Sequence, residues 1–180
     1  MAAAARVFAQ EGLAGATTRA IAKAAKVNEV TLFRHFGTKD RLIAAVIGKT
    51  FPEVELPEGA NSPDLKADLA DFAERYEKQL MANLPMIRTM LGEIHKHRDQ
   101  EVQVLHAIFR PMRASLVERL ERADLKPGVT PAIAADLLGG MILSDVLRRS
   151  KATSTMEYSQ EQYRSAAVDV LLSGMTVADL

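Results

Sequence analysis

The 180-residue chain is 48% hydrophobic and 26% charged, as is typical of a globular protein, and its formal net charge is zero. It contains no cysteine, which excludes disulfide bonds, thiolate metal sites and cysteine nucleophiles. No apolar run reaches the roughly 18 residues of a membrane span, and the N-terminus lacks a signal-peptide pattern, so we expect a cytoplasmic protein that makes no contact with a membrane.

The charge is unevenly distributed along the chain. Residues 1–50 contain eight Lys or Arg against three acidic residues, whereas residues 51–180 contain 15 against 20. A basic N-terminal part is typical of a region that contacts phosphate, so the acidic remainder is expected to have another role.

The hydrophobic pattern predicts an all-α protein of about nine helices. Apolar residues recur at steps of three and four, and no segment alternates as a strand would. Three short helices are predicted near residues 2–10, 18–25 and 29–36, and a fourth follows Thr38. Thr17, Asn28 and Thr38 are the predicted N-caps, and Gly37 is predicted to end the third helix.

A cluster of helix-breaking residues predicts a domain boundary. Residues 51–63 contain three prolines together with Gly59 and Asn61. We therefore predict a first domain over residues 1–50, which includes the start of the fourth helix, and a second, helical domain over residues 51–180. The helices of the second domain are predicted near residues 64–82, 84–97, 100–124, 131–151 and 159–175.

The second and third helices predict a helix-turn-helix. They are short and are separated by three residues, Lys26 to Asn28. The side chains of the third helix that are not expected in the core suit a major groove. Arg donates to guanine, Glu accepts from cytosine, and an apolar group contacts the thymine methyl. They are Asn28, Glu29, Val30, Thr31, Arg34 and His35. Thr17, Thr18 and Lys39 are candidates for phosphate contacts, because the first two begin a helix and a lysine in the first turn opposes the helix dipole.

The N-terminal part resembles the TetR family of bacterial regulators. The resemblance covers nearly all of residues 4–47 and is carried by Phe8 to Gly12, Ala16 to Ala22, Val27 to Phe36, and Thr38 with Lys39. It implies that Thr18, Phe33, His35 and Lys39 contact phosphates, and that Arg19, Glu29, Val30, Thr31 and Arg34 contact bases. The family usually has glycine at the position of Lys26 and tyrosine at that of Phe33, and many members carry a basic arm that this sequence lacks ahead of Met1.

The resemblance also implies a body that binds a small molecule and pairs two subunits through its last two helices. Both helices are apolar on more than one side, which favours burial on two sides. The candidate dimer residues are Leu137, Leu138, Met141, Ala167, Val170 and Leu171. Flexible methionines and a few polar groups are candidates for the pocket, although the same residues also suit a core or a surface. They are Met86, Met90, His106, Arg110, Met112, Met141 and Asp145.

No metal and no cofactor are expected. His95 and His97 are two residues apart on a predicted helix and therefore point in different directions.

Three functions remain open from the sequence. The first is a homodimeric repressor that binds a palindromic operator in double-stranded DNA and is released by a small, apolar effector. The second is a DNA-binding regulator whose body only dimerises or binds a protein. The third, a helical enzyme using Ser144 and Asp145 with a histidine, is disfavoured because the chain has no nucleophile elbow, phosphate-binding loop or metal-ligand pattern.

Overall fold

The computed structural model describes residues 1–54, 56, 64–93, 113–149 and 156–176. This part of the chain contains nine α-helices and no strand beyond one isolated antiparallel bridge between Leu125 and Thr176, so the all-α prediction is confirmed. The helices are α1 Ala2–Gly15, α2 Thr18–Ala25, α3 Glu29–Phe36, α4 Lys39–Thr50, α5 Leu65–Ala82, α6 Leu84–Glu93, α7 residues 113–120, α8 Pro131–Arg149 and α9 Gln160–Met175.

The chain divides into two compact units, and the division does not follow the order of the helices. The first unit contains α1 to α4 together with α6, and the second contains α5 and α7 to α9. Helix α6 packs against α1, and the Thr89 hydroxyl donates a hydrogen bond to the Ala9 carbonyl oxygen at 3.0 Å. The predicted boundary at residue 50 placed the segment of α6 in the second domain. In the structure α6 instead groups with the N-terminal helices, where its apolar side is buried.

The first unit is built around one apolar face from each of its helices. Its buried residues include Ala4, Val7, Phe8, Ile21, Ala22, Leu32, Leu42, Val46, Ile47 and Phe51. Helix α1 is interrupted at Gly12, whose φ of 80° and ψ of 166° form a conformation essentially restricted to glycine. The first helix, predicted near residues 2–10, is broken at Gly12, and helical structure then resumes for a short stretch up to Gly15.

The second unit combines an apolar core with buried polar groups. Helix α5 packs against α8 and α9, and the Tyr76 ring stacks on Phe72 with their centroids 5.6 Å apart. The Tyr76 hydroxyl is buried against Gly139, without a hydrogen-bond partner among the residues that the structure describes. Burial, and secondarily the Asp136 carboxylate, raises the pKa of this hydroxyl far above its ordinary value. It therefore stays protonated at physiological pH.

Two ion pairs join α5 to other helices of the second unit. Arg119 Nε lies 2.6 Å from an oxygen of Asp68, and each of the two side chains is only 8% exposed. Arg164 Nη1 lies 3.0 Å from an oxygen of Glu77, in a pair that is also largely buried. Such pairs place strict demands on geometry, because removing a carboxylate takes the opposite charge away from a buried guanidinium.

Candidate nucleic-acid interface

The N-termini of α2, α3 and α4 are closed by the side chains that the sequence predicted. The Thr17 hydroxyl oxygen accepts from the Ala20 amide at 3.1 Å, and Asn28 Oδ1 accepts from the Val30 amide at 2.9 Å. The Thr38 hydroxyl oxygen likewise accepts from the amide of Arg41. These caps set where each helix begins, and so they set which side chains share the first turn of the recognition helix α3.

The turn between α2 and α3 is tight and left-handed at Lys26. This residue has φ 55° and ψ 41°, and it is the one non-glycine residue with a positive φ in the described part of the chain. Its amide donates to the Lys23 carbonyl at 3.1 Å, and the Val27 amide donates to the Ala22 carbonyl at 3.0 Å. The turn thus keeps the usual geometry of a helix C-cap although its residue carries a Cβ.

We expect Lys26→Gly to stabilise the protein by about 0.5–1 kcal/mol. Glycine removes the strain of about 1–2 kcal/mol that a side chain suffers in the left-handed region, while its greater freedom in the unfolded chain offsets part of the gain. Urea unfolding at one protein concentration measures the difference. Lys26→Ala is the matched control, since it removes the same charge and keeps the Cβ. Equal stabilisation by both substitutions would show that charge and not backbone strain is responsible.

The solvent-facing side of α3 presents both apolar and polar groups. Val30 is 71% exposed and Phe33 44% exposed, although both are apolar, whereas Leu32 alone in this helix is buried. Asn28, Arg34 and His35 are also exposed, and Glu29 and Thr31 are partly exposed. Exposed Val and Phe beside Arg and Asn match what a major groove offers, namely thymine methyl groups next to hydrogen-bonding base edges.

The candidate phosphate-contacting residues lie close to the same surface, and two of them already have partners within the protein. The Thr18 hydroxyl donates to Oε1 of Glu29 at 2.5 Å, which joins the first residue of α2 to the first residue of α3. Lys39 Nζ donates to the Ala14 carbonyl oxygen of α1 at 3.0 Å. Arg19 and Thr17 are exposed. Sequence reasoning did not find either contact, because each joins residues 11 or more positions apart that share no local motif.

The candidate pocket residues are divided between the two units. Met86 and Met90 are buried in the first unit, at 4% and 3% exposure. Met141 and Asp145 lie on α8 in the second unit, where the buried Asp145 carboxylate accepts from Arg149 Nε at 2.6 Å and from Arg148 at 3.3 Å. The other three candidates, His106, Arg110 and Met112, fall outside the described residues.

The candidate dimer residues also differ in exposure. Leu138, Ala167 and Leu171 are buried inside the second unit itself. Leu137 is 53% exposed and Val170 is 67% exposed, whereas Met141 is intermediate. Ile133, which lies one helical turn before Leu137, is 45% exposed. The apolar surface left on the outside of α8 and α9 is therefore centred on these exposed positions.

The described ranges contain no group of three His, Cys, Asp or Glu side chains that could hold a metal ion. His95 and His97 lie in a segment beyond those ranges. No helix of the described part is sufficiently long and apolar to cross a membrane.

The two short helices α2 and α3, joined by a tight turn at Lys26, form a helix-turn-helix. Residues 1–46 match the family model described as bacterial regulatory proteins of the tetR family. The N-terminal part of the chain thus matches the family that the resemblance indicated. Members of this family bind DNA operators and typically form dimers.

Proteins similar to this chain are found both by sequence and by fold. The HTH-type transcriptional repressor Rv3405c of Mycobacterium tuberculosis is 28% identical over 156 residues, which covers 71% of this chain and 81% of that protein. The fold matches that of the Flavonoid-responsive Regulator FrrA with a TM-score of 0.67 at 22% identity, over 99% of this chain and 95% of the other. A transcriptional regulator from Rhodococcus sp. Rha1 also gives a TM-score of 0.67 at 22% identity, covering 99% and 96%.

Proposed function

We propose that this protein is a cytoplasmic repressor that binds a palindromic operator as a homodimer and leaves it when a small, apolar effector binds. The observation that carries the proposal is the exposed face of α3, where Val30 and Arg34 are available to a major groove and Phe33 to the phosphates beside it. In a symmetric dimer the two recognition helices would enter successive major grooves about 34–36 Å apart, so each half-site would be read by one subunit.

Pairing of two subunits is supported by the outer faces of α8 and α9. The exposed positions at successive turns of α8 are Ile133, Leu137, Gly140 and Ser144, and those of α9 are Ala166, Val170 and Gly174. None of these seven residues is charged, and the two helices pack against each other within the unit, although Asp136 and Arg148 of α8 are also exposed beside this stripe. A largely uncharged stripe with charged residues at its margin is typical of an interface, whose core is depleted of charged residues and whose rim is polar.

Release by an effector is supported by the second unit. It holds a buried hydroxyl, that of Tyr76, with no partner in the described part, and such a group is available to a polar atom of a bound molecule. Met141 and Asp145 of α8 stay candidates for the lining. The Flavonoid-responsive Regulator FrrA, whose name describes a response to an organic molecule, has the same fold. Effector binding would shift the population of dimers towards conformations in which the spacing of the two α3 helices no longer fits the operator.

The other two candidate pocket methionines, Met86 and Met90, are buried on α6 and therefore suit the transmission of a movement of this helix. Helix α6 packs on α1 of the first unit, and it follows α5 of the second unit after a single residue, Asn83. A displacement of α6 would thus act directly on the unit that binds DNA. A thermal-shift panel of small organic molecules tests for an effector, because a ligand of the native state raises the unfolding midpoint.

The DNA-binding proposal is tested with Arg34→Ala and Lys39→Ala on an operator selected from random duplex DNA by the wild-type protein. We expect each to weaken binding by about 1–3 kcal/mol, Arg34→Ala with relaxed preference at one position per half-site. Lys39→Ala should weaken all sequences evenly and lower the salt slope by about one per subunit. Fluorescence anisotropy at several salt concentrations measures both effects.

The matched control is Lys49→Ala, which removes the same charge from the last turn of the same helix. Residues 39 and 49 are about 15 Å apart along α4, so we expect little change in affinity. Lys39→Ala also removes the hydrogen bond from Lys39 to the Ala14 carbonyl, which would lower the unfolding midpoint of the free protein. Comparing the unfolding midpoints of the variants therefore separates this loss of stability from the loss of a phosphate contact. Unchanged operator affinity in both Arg34→Ala and Lys39→Ala would refute the assignment of this surface.

A further inference from the structure

Glu29 is an exception in the charge of the DNA-binding surface. Between Thr17 and Lys39 the chain has five Lys or Arg, and Glu29 is the one acidic residue. A carboxylate on this surface repels the phosphates that the cations attract. The structure shows what holds it there, because the carboxylate accepts the Thr18 hydroxyl at 2.5 Å in a partly buried contact.

This hydrogen bond competes with the phosphate contact expected of Thr18. A threonine hydroxyl has a single proton to donate, and a phosphate oxygen in DNA accepts and does not donate. While the Thr18 proton lies on Glu29, the hydroxyl cannot bind phosphate. A phosphate contact by this hydroxyl therefore requires the bond to Glu29 to be given up, and it leaves the carboxylate needing another donor.

A major groove supplies such a donor at only some base pairs. Cytosine presents the hydrogens of its N4 amino group, which glutamate accepts, whereas guanine N7 and O6 and thymine O4 are acceptors that repel a carboxylate. Adenine also has a donor, its N6 amino group, but the acceptor N7 beside it repels the second carboxylate oxygen. Glu29 is the first residue of α3, next to its cap Asn28, and so it lies at the end of the helix that enters the groove in this class of protein.

We propose that Glu29 and Thr18 form a specificity pair that couples recognition of a cytosine to a phosphate contact. Opposite a cytosine amino group, the Glu29 carboxylate exchanges its partner and the Thr18 hydroxyl turns to the phosphate. Opposite any other base edge, Thr18 stays bound to Glu29, so the phosphate contact is not made and the negative charge of the carboxylate weakens binding. The pair thus suppresses binding to non-operator DNA while it strengthens binding to the operator. This inference rests on the proposed DNA-reading role of α3.

The test measures how Thr18→Val, which keeps the shape of the side chain and removes its hydroxyl, changes the affinity for two DNAs. The substitution is made both in the wild-type protein and in the Glu29→Ala variant. The DNAs are the operator selected by the wild-type protein and a pooled random duplex of equal length. In the wild-type background we expect Thr18→Val to weaken operator binding by about tenfold, the size of one charge-assisted hydrogen bond, and to leave random-duplex binding nearly unchanged. In the Glu29→Ala background we expect it to weaken binding to both DNAs alike.

Glu29→Ala by itself gives a second readout. We expect stronger binding to the random duplex, a steeper salt dependence, and loss of the preference for cytosine at one position of each half-site when selection is repeated. Thr18→Ser, which retains the hydroxyl, should restore wild-type discrimination. Unfolding midpoints verify that each variant is folded.

Two outcomes separate this inference from the function on which it rests. If the wild type selects an operator but Thr18→Val weakens both DNAs equally, the coupling is refuted and the DNA-binding proposal stands. Retention of the cytosine preference by Glu29→Ala would also refute the coupling. If the wild type selects no sequence at all, the proposed function itself fails.

Discussion

Asp68→Ala is expected to lower the free energy of unfolding by about 3–5 kcal/mol, because it leaves the Arg119 guanidinium buried without its carboxylate. Asp68 and Arg119 are each 8% exposed as side chains, and their atoms are 2.6 Å apart. They lie 51 residues apart in the sequence and join α5 to α7 within the second unit. Urea or thermal unfolding, followed by circular dichroism, measures the loss.

The same helix offers a matched control. Asp71→Ala removes the same side chain from α5, but its pair with Arg75 is exposed, with side chains 35% and 50% accessible. Exposed pairs of this spacing contribute about 0.3–0.5 kcal/mol, so we expect Asp71→Ala to have little effect. The double substitution Asp68→Leu with Arg119→Met should recover most of the lost stability, because it removes both buried charges. If Asp68→Ala and Asp71→Ala prove equally mild, the buried pair has no special structural role.

Leu137→Glu combined with Val170→Glu is expected to convert the protein into a folded monomer that binds its operator at least about 100-fold more weakly. Both residues are more than half exposed in the single chain, on α8 and α9, so each glutamate is tolerated in the monomer. In a dimer the four carboxylates would be buried close together without partners, which is strongly unfavourable. Loss of the second half-site contact then removes a gain of about 10²–10⁴ in affinity.

Light scattering coupled to gel filtration tests the assembly. One chain has a mass of 19.7 kDa, so we expect twice that mass for the wild type and the mass of one chain for the double variant. Met81→Glu is the control for a single added glutamate, because Met81 is 50% exposed on α5 of the same unit and each substitution adds one negative charge. A double variant that stays dimeric would place the interface elsewhere, and a monomeric wild type with full operator affinity would refute dimeric binding.

Local chemistry accounts for the features that the sequence predicted well. The caps Thr17, Asn28 and Thr38 act on amides within three residues of themselves, so the helix starts could be read directly from the chain. The exposed face of α3 follows from helical periodicity once its buried Leu32 is placed. Lys26 could be identified as an unusual turn residue from the resemblance, and the structure adds that it takes the left-handed conformation.

Contacts between distant residues could not be read in this way. Helix α6 was assigned by sequence order to the second domain, but its partner α1 lies about 80 residues earlier, and the Thr89 bond to Ala9 spans that distance. Apolar residues on α8 and α9 were expected at a subunit interface, yet Leu138 and Leu171 are buried within their own unit. A hydrophobic pattern shows that a face is buried and does not show what covers it.

The sequence by itself determined the helical class, the position of the helix-turn-helix and the side chains on its reading face. These depend on periodicity, capping and short motifs, in which the interacting groups are neighbours along the chain. Only the tertiary structure decided that Lys39 binds Ala14, that Asp68 binds Arg119, and that Glu29 binds Thr18. Each of these bonds joins two elements that are brought together only by tertiary packing. Glu29, which the sequence predicted to contact bases, therefore accepts a hydrogen bond from the Thr18 hydroxyl in the folded protein.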